Sequence, residues 1–115
     1  MAKGIRQFII LASMGFVFFG CSSGPDEKIE SFMKCAIAAE YFGDNNSVKS
    51  VDEKMKRFLL ENEDYFKYIS SFAEYMMKRR SEVDQELELY RYNRKGKKQI
   101  LSRVYSSSKC GELYE

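Results

Sequence analysis

The chain has 115 residues, room for one small domain, and its 19 basic and 17 acidic residues leave a formal charge of +2. It contains no histidine, which removes the commonest metal ligand and the commonest general base together with any Ser–His or Cys–His nucleophile. Because a glycine-rich phosphate loop is also missing, we predict no enzymatic activity, no metal site and no other cofactor.

The first element is a leader over residues 1–20. It begins with two basic residues, Lys3 and Arg6, and no acid, and it continues with an apolar run over 8–19. That run is too short to span a bilayer as a permanent helix. The leader ends on a glycine, and Cys21 follows directly. A charged start, an apolar middle and a small residue at the cut are the parts of a secretory signal.

With a cysteine directly after the small residue, residues 1–23 resemble the leaders of bacterial lipoprotein precursors. The resemblance implies cleavage before Cys21, a diacylglycerol on its sulfur and an amide-linked acyl chain such as palmitate. Several chains anchor firmly, because each buried methylene contributes about 0.8 kcal/mol. Ser22 in place of Asp resembles lipoproteins forwarded to the outer membrane, so we expect the periplasmic face of that membrane rather than the inner membrane. The alternative is a plain signal peptide or an uncleaved anchor with an incidental cysteine.

Export of a chain lipidated at Cys21 leaves Cys35 and Cys110 in an oxidising compartment, where two such cysteines usually pair. We expect a disulfide that closes about 75 residues. In the loop-closure model this removes unfolded-chain entropy worth roughly 4–5 kcal/mol. The alternative, a reactive thiol or a metal pair, lacks the CxxC spacing.

The mature part, residues 26–115 after a short tether over 21–25, is predicted to be all-α. We expect a small bundle of three to four helices held by one disulfide. Apolar side chains recur at three- and four-residue spacing, while strand signals are thin, since the chain has no threonine. The predicted helices span 26–42, about 48–60, about 65–92 and 99–105.

Three details of these helices depend on particular residues. Ser50 with Glu53 has the form of a capping box at the start of the second helix. Arg80 interrupts the apolar stripe of the third helix, so we expect a kink or a departure from the core there. Residues 93–98, with Gly96 among them, are predicted to form a loop.

Charge is unevenly distributed along the mature chain. Residues 26–64 carry ten acids and six bases, whereas residues 65–115 carry seven acids and eleven bases. Such asymmetry concerns partners and orientation rather than fold.

The most distinctive segment runs from Leu89 to Arg103, with six bases, two tyrosines and no acid. Bases for phosphates beside rings for stacking are typical of nucleic-acid contacts, but we expect no nucleic acid outside the cytoplasm. The same chemistry fits lipid phosphates, lipopolysaccharide or an acidic protein surface. A solvated loop whose tyrosines cover the core is the alternative of equal weight. The candidate contact residues are Tyr90, Arg91, Tyr92, Arg94, Lys95, Lys97, Lys98 and Arg103.

Together these features predict a lipid-anchored helical envelope protein that acts as a non-catalytic binding or adaptor module. Its partners would be the membrane, through the acyl chains on Cys21, and an envelope protein or an anionic lipid. In size, leader and cysteine count the chain resembles the pilotins, which escort secretin subunits to the outer membrane. No pilotin motif matches residue by residue, so no residue role is carried over.

Two other classes stay open. One is a plasmid- or phage-encoded exclusion or immunity lipoprotein, since such proteins are also short and lipid-anchored. The other is an inhibitor of an envelope hydrolase, which would present a rigid loop to its target. Residues 93–98 are the candidate for that loop.

Overall fold

The structure, a computed structural model, describes residues 24–115. The predicted leader over 1–20, its predicted cleavage site and Cys21, the predicted lipidation site, lie outside this range. The described part is all-α, as predicted, but it has six α-helices and one 3₁₀ turn rather than three to four helices. The elements are α1 (Pro25–Tyr41), α2 (Asn45–Glu61), α3 (Glu63–Phe66), α4 (Phe72–Leu87), the 3₁₀ turn (Leu89–Arg91), α5 (Arg94–Tyr105) and α6 (Ser108–Tyr114).

Helix α1 has clear start and stop signals. Pro25 occupies the first helical turn, where its missing N–H costs no hydrogen bond. The backbone N–H of Gly24 donates to Oε1 of Glu27 at 3.2 Å, and the acidic first turn suits the positive end of the helix dipole. The helix stops at Gly43, which adopts the left-handed conformation (φ +71°) that glycine reaches without a steric penalty.

Helix α2 begins about three residues earlier than predicted. Asp44 is its N-cap: its carboxylate accepts hydrogen bonds from the backbone N–H and the hydroxyl of Ser47, at 3.2 and 2.6 Å. The capping box predicted at Ser50 does not form, because this residue lies inside the helix and donates to the carbonyl of Leu113 at 2.9 Å. Asp44, which directly follows Gly43, caps the helix in place of Ser50, since aspartate is among the preferred N-cap residues.

The continuous helix predicted over 65–92 is divided. The single-turn helix α3 ends at Phe66, whose ring is buried in the core. Ser71 then caps a new helix, with its hydroxyl accepting from the backbone N–H of Glu74 at 3.3 Å. Burial of Phe66 and the serine cap outweigh the helix-forming composition of the segment.

Arg80 does not interrupt α4, which runs without a break from Phe72 to Leu87. Its side chain is exposed and pairs with Asp84 at 3.1 Å across one helical turn. The helix ends at Glu88, which adopts a left-handed conformation (φ 47°).

The loop predicted over 93–98 is wrong, because these residues cap and begin α5. The side chain of Asn93 accepts from the backbone N–H of Gly96 at 2.9 Å and so caps the helix. A β-carbon at Gly96 would approach Cβ of Tyr92 to 2.9 Å. The absence of a side chain at Gly96 thus allows Tyr92 to pack against the first turn of α5. Gly96 does not indicate a loop.

The last helix, α6, is an element that the sequence did not predict. Ser107 caps it, and Cys110 within it forms the predicted disulfide with Cys35 of α1, with a Cα–Cα distance of 5.3 Å. The hydroxyl of Tyr114 donates to the carbonyl of Cys35 at 2.7 Å. The C-terminus is therefore fastened to the middle of the first helix.

Helix α1 lies at the centre of two hydrophobic clusters. The first is built from its N-terminal half together with α2, α3 and α6. The second is built from its C-terminal half together with α4 and α5. The buried members of the first cluster are Ile29, Phe32, Cys35, Val51, Phe66 and Cys110. Those of the second are Ala38, Val83, Leu87 and Leu101.

Side-chain contacts fix the directions of the long helices. The short turn at Gly43 joins α1 to α2, and the rings of Phe32 and Phe58, well away from that turn, lie 5.7 Å apart. Helix α2 therefore runs antiparallel to α1. Arg79 of α4 pairs with Glu30 of α1 at 2.7 Å. Farther along both helices, Glu86 of α4 pairs with Lys34 of α1, so α4 runs parallel to α1.

Two ends of the bundle follow from these directions. Helix α5 lies where α1 finishes, since the hydroxyl of Tyr105 donates to Asp44 at 2.6 Å. We call this the Gly43 end. The opposite end, where α1 begins, α2 finishes and α4 starts, is the Gly24 end. None of the helices within residues 24–115 has the length and apolar character needed to cross a bilayer.

Candidate functional site

The predicted contact residues lie on the 3₁₀ turn, on Tyr92 directly after it, and on α5, whose last residue, Tyr105, contacts the Gly43 end. Tyr90 is 75 % exposed and Tyr92 is 42 % exposed. Arg91 pairs with Glu88 at 3.0 Å; this hydrogen bond and the negative charge raise the pKa of Arg91. Its charge is therefore partly compensated within the protein. Lys97 is half-buried.

The other four predicted bases form what we call the α5 basic surface: Arg94, Lys95, Lys98 and Arg103. All four are exposed. None of them forms an ion pair with an acid of residues 24–115, and the preceding 23 residues contain no acid. A shallow depression between Lys95 and Ser106 runs along this surface. The structure brings the predicted bases together as uncompensated charges.

The position of these bases works against the stability of α5. Four bases crowd residues 94–98, and the first turn of α5 has no acid. A helix N-terminus carries a partial positive charge, so each base there is unfavourable by a few tenths of a kcal/mol, up to about 1 kcal/mol. A solvated loop would carry no such cost. Residues 94–98 are therefore the basic start of a helix and not the loop that the alternative required.

The Gly24 end has a different polar cluster, centred on Asp26. Its carboxylate accepts hydrogen bonds from the hydroxyls of Tyr65 at 2.9 Å and Tyr75 at 2.5 Å. Arg79 lies 3.7 Å from the same carboxylate and 2.7 Å from that of Glu30. This cluster joins the starts of α1 and α4 to the short helix α3.

The pKa values at this cluster shift in opposite directions. Burial alone would raise the pKa of Asp26, but the hydrogen bonds from Tyr75 and Tyr65 outweigh it and lower the pKa. Burial raises the pKa of Glu30 despite its pairing with Arg79. Burial and the neighbouring carboxylate of Asp26 raise the pKa of Tyr75. The hydrogen bonds from the two tyrosines therefore favour the ionised form of Asp26.

A groove between α1, α2 and α4 is the surface feature that the sequence did not reveal. It encloses about 410 Å³, and its charged residues, such as Arg80, lie among mostly apolar side chains. The periodicity assigned these apolar residues to the core, and nothing in the sequence shows that α4 leaves a gap beside α2. The two methionines are the only hint, since methionine adapts to varied partners. The apolar lining consists of Phe32, Met33, Ala36, Ile37, Val48, Val51 and Met55.

No group of three or more potential metal ligands occurs within residues 24–115. Asn93 caps α5 and residues 94–98 are helical, so the segment 93–98 does not supply the rigid loop that the inhibitor alternative required.

Comparison of the chain with protein-family models, curated proteins and solved structures finds no match.

Proposed function

We propose that this chain is a lipid-anchored helical protein of the bacterial envelope that works as a non-catalytic binding or adaptor module. In this proposal Cys21 carries the acyl chains, and the domain stands on the periplasmic face of the outer membrane. The α5 basic surface, with Tyr90 and Tyr92 beside it, contacts an acidic envelope protein.

The observation that carries the proposal is the absence of internal partners for the α5 basic surface. Four exposed bases share one side of the Gly43 end without an ion pair, and two of them, Arg94 and Lys95, stand in the first turn of a helix. Uncompensated like charges repel one another, and an acidic partner would relieve both the repulsion and the unfavourable dipole. The neighbouring tyrosines add rings of the type enriched at protein interfaces.

The position of this surface favours a protein partner over the lipid phosphates of the anchoring membrane. Helix α1 has 17 residues, so it separates its two ends by about 25 Å. Screening limits the reach of exposed charges to about 8 Å at physiological ionic strength. Charges at the Gly43 end therefore have little electrostatic interaction with a bilayer that touches the Gly24 end.

Site-specific photocrosslinking in cells tests this proposal. A photoreactive residue replaces Gln99, which lies on the α5 basic surface and is uncharged and exposed. We expect a discrete adduct with an acidic envelope protein. The adduct should disappear when Arg94, Lys95, Lys98 and Arg103 are all changed to Gln, because the attraction is electrostatic.

A matched variant controls for loss of net charge. Changing Lys49, Arg57, Lys78 and Lys109 to Gln removes the same charge from exposed positions outside α5. This variant should retain the adduct from position 99. Equal loss with both variants, or no adduct from Gln99 while a photoreactive residue at Asn46 gives one, would contradict a contact through α5.

A further inference from the structure

The Gly24 end carries apolar side chains that the core does not use. Tyr68 is 81 % exposed and Leu60 is 72 % exposed. Tyr65 and Phe72 are also exposed. All four lie within one short stretch, from the end of α2 to the start of α4. Exposed aromatic and aliphatic side chains concentrated in this way mark a contact surface more often than chance.

Packing holds this surface in place. The rings of Tyr65 and Phe72 lie 5.0 and 6.3 Å from the ring of buried Phe66. Ile69 packs against the same core cluster. The segment that carries the exposed side chains is therefore packed against the core and is not a free loop. Their exposure is a property of the folded structure.

The surface lies beside the point where the described chain begins. The hydroxyl of Tyr65 donates to Asp26 at 2.9 Å, and Asp26 is two residues after Gly24. Cys21 is three residues before Gly24, and three residues of chain span at most about 10–11 Å. An acyl chain on Cys21 would therefore enter the bilayer close to this surface.

We propose that Leu60, Tyr65, Tyr68 and Phe72 rest on the head-group layer of the membrane in which Cys21 is anchored. The inference depends on the lipid anchor of the proposed function. Tyrosine suits this layer because its ring is apolar and its hydroxyl is polar, and it is enriched at both membrane–water interfaces. The leucine and phenylalanine add apolar area that reaches the upper acyl region.

Charges around the surface select the kind of lipid. Within residues 60–74, which carry the surface, four acids (Glu61, Glu63, Asp64 and Glu74) stand against one base, Lys67, and Lys67 lies 3.4 Å from Asp64. This balance disfavours anionic head groups. The surface fits a zwitterionic leaflet, such as one rich in phosphatidylethanolamine, and contact with it should weaken when anionic lipid is added.

Two attachments, the acyl chains and this surface, would fix how the domain stands. Helix α1 would lead away from the bilayer, because its first turn carries Asp26 and its last turn leads to the Gly43 end. The α5 basic surface would then face the periplasm about 25 Å away. The membrane contact would thus hold the partner-binding surface clear of the lipid.

Spin labels on the full-length protein, purified from the membranes of the cells that process it and placed in phosphatidylethanolamine–phosphatidylcholine vesicles, test the inference. A nitroxide on Lys67→Cys sits within the surface and leaves its four apolar residues intact, and one on Lys95→Cys reports from the Gly43 end. We expect the ratio of oxygen to water-soluble nickel collisions to be several-fold higher at position 67. Changing Leu60 and Tyr68 to Ser should lower the ratio at 67 toward that at 95.

Flotation of the vesicles separates the two ways in which this test can fail. If the protein floats and position 67 is as open to nickel as position 95, the membrane contact is wrong while the lipid anchor stands. If the protein does not float, the anchor itself is wrong, and the inference falls with it. A ratio at 67 that is unchanged by the Leu60→Ser, Tyr68→Ser pair would also overturn the assigned contact residues.

Discussion

At the scale of single residues, Asp26 shows what the sequence could and could not predict. Its place in an acidic first turn was readable from the chain. Its two hydrogen bonds could not be predicted from the sequence. The donors Tyr65 and Tyr75 lie 39 and 49 residues away along the chain, and they reach Asp26 only through the tertiary fold. Tyr75 packs against the first hydrophobic cluster, and both tyrosines donate their hydroxyls to one carboxylate.

The lowered pKa of Asp26 predicts a pH dependence of stability. A carboxyl whose pKa is lower in the folded state stabilises the fold at neutral pH, and this contribution is lost as the pH falls through its folded pKa. Asp26→Asn should lower the free energy of unfolding at neutral pH by about 1 kcal/mol, since the site is partly exposed. Below that folded pKa the difference should vanish.

Urea unfolding of both proteins across the acid range measures this difference. Asp52→Asn is the control, because Asp52 makes only an exposed pair with Lys56 within its own helix. A constant difference at all pH values would show that the carboxylate charge has no part in the effect.

At the scale of elements, most helices were predictable, whereas several of their ends and the last helix, α6, were not. The apolar spacing correctly predicted α1, α2 and the last part of α5. Two of the incorrect boundaries depend on which residue caps the helix. Asp44 caps α2 in place of Ser50, and Asn93 begins a helix where a glycine nearby suggested a loop. A local pattern identifies candidate caps, but tertiary packing selects among them.

The cap of α5 gives a prediction at this scale. Asn93→Ala removes the side chain that accepts from Gly96, so the protein should lose about 1 kcal/mol of stability. Amide hydrogens of residues 94–98 should exchange faster. Asn46→Ala, at an exposed position without a capping bond, should change neither quantity. Unchanged exchange at 94–98 after Asn93→Ala would contradict the assigned cap.

At the scale of the whole molecule, the uneven charge of the sequence becomes a difference between two ends. Five of the eleven bases in residues 65–115 lie on α5, at the end opposite the start of α1. The disulfide was predictable because the expected export, with Cys21 lipidated, would leave Cys35 and Cys110 in an oxidising compartment. The groove between α1, α2 and α4 was not predictable, because it depends on the spacing between packed helices and not on a pattern of residues.

The disulfide should carry much of the stability of this small domain. Changing both Cys35 and Cys110 to Ser should lower the free energy of unfolding by roughly 4–5 kcal/mol, because the loop that they close is long. Denaturant unfolding with and without reductant measures the effect. In the periplasmic Cys21→Ala protein no free thiol should be titratable, and a reactive thiol there would contradict the pairing.

A crosslinked pull-down of the full-length protein from its own membranes, beside a Cys21→Ala control, tests the central proposal most directly. An anchored binding module predicts that one envelope assembly is recovered with the wild-type chain and lost with the control. The same recovery from both would contradict the need for an anchor. An empty pull-down from both would contradict a resident partner and favour an exclusion or immunity protein, whose partner arrives from outside the cell.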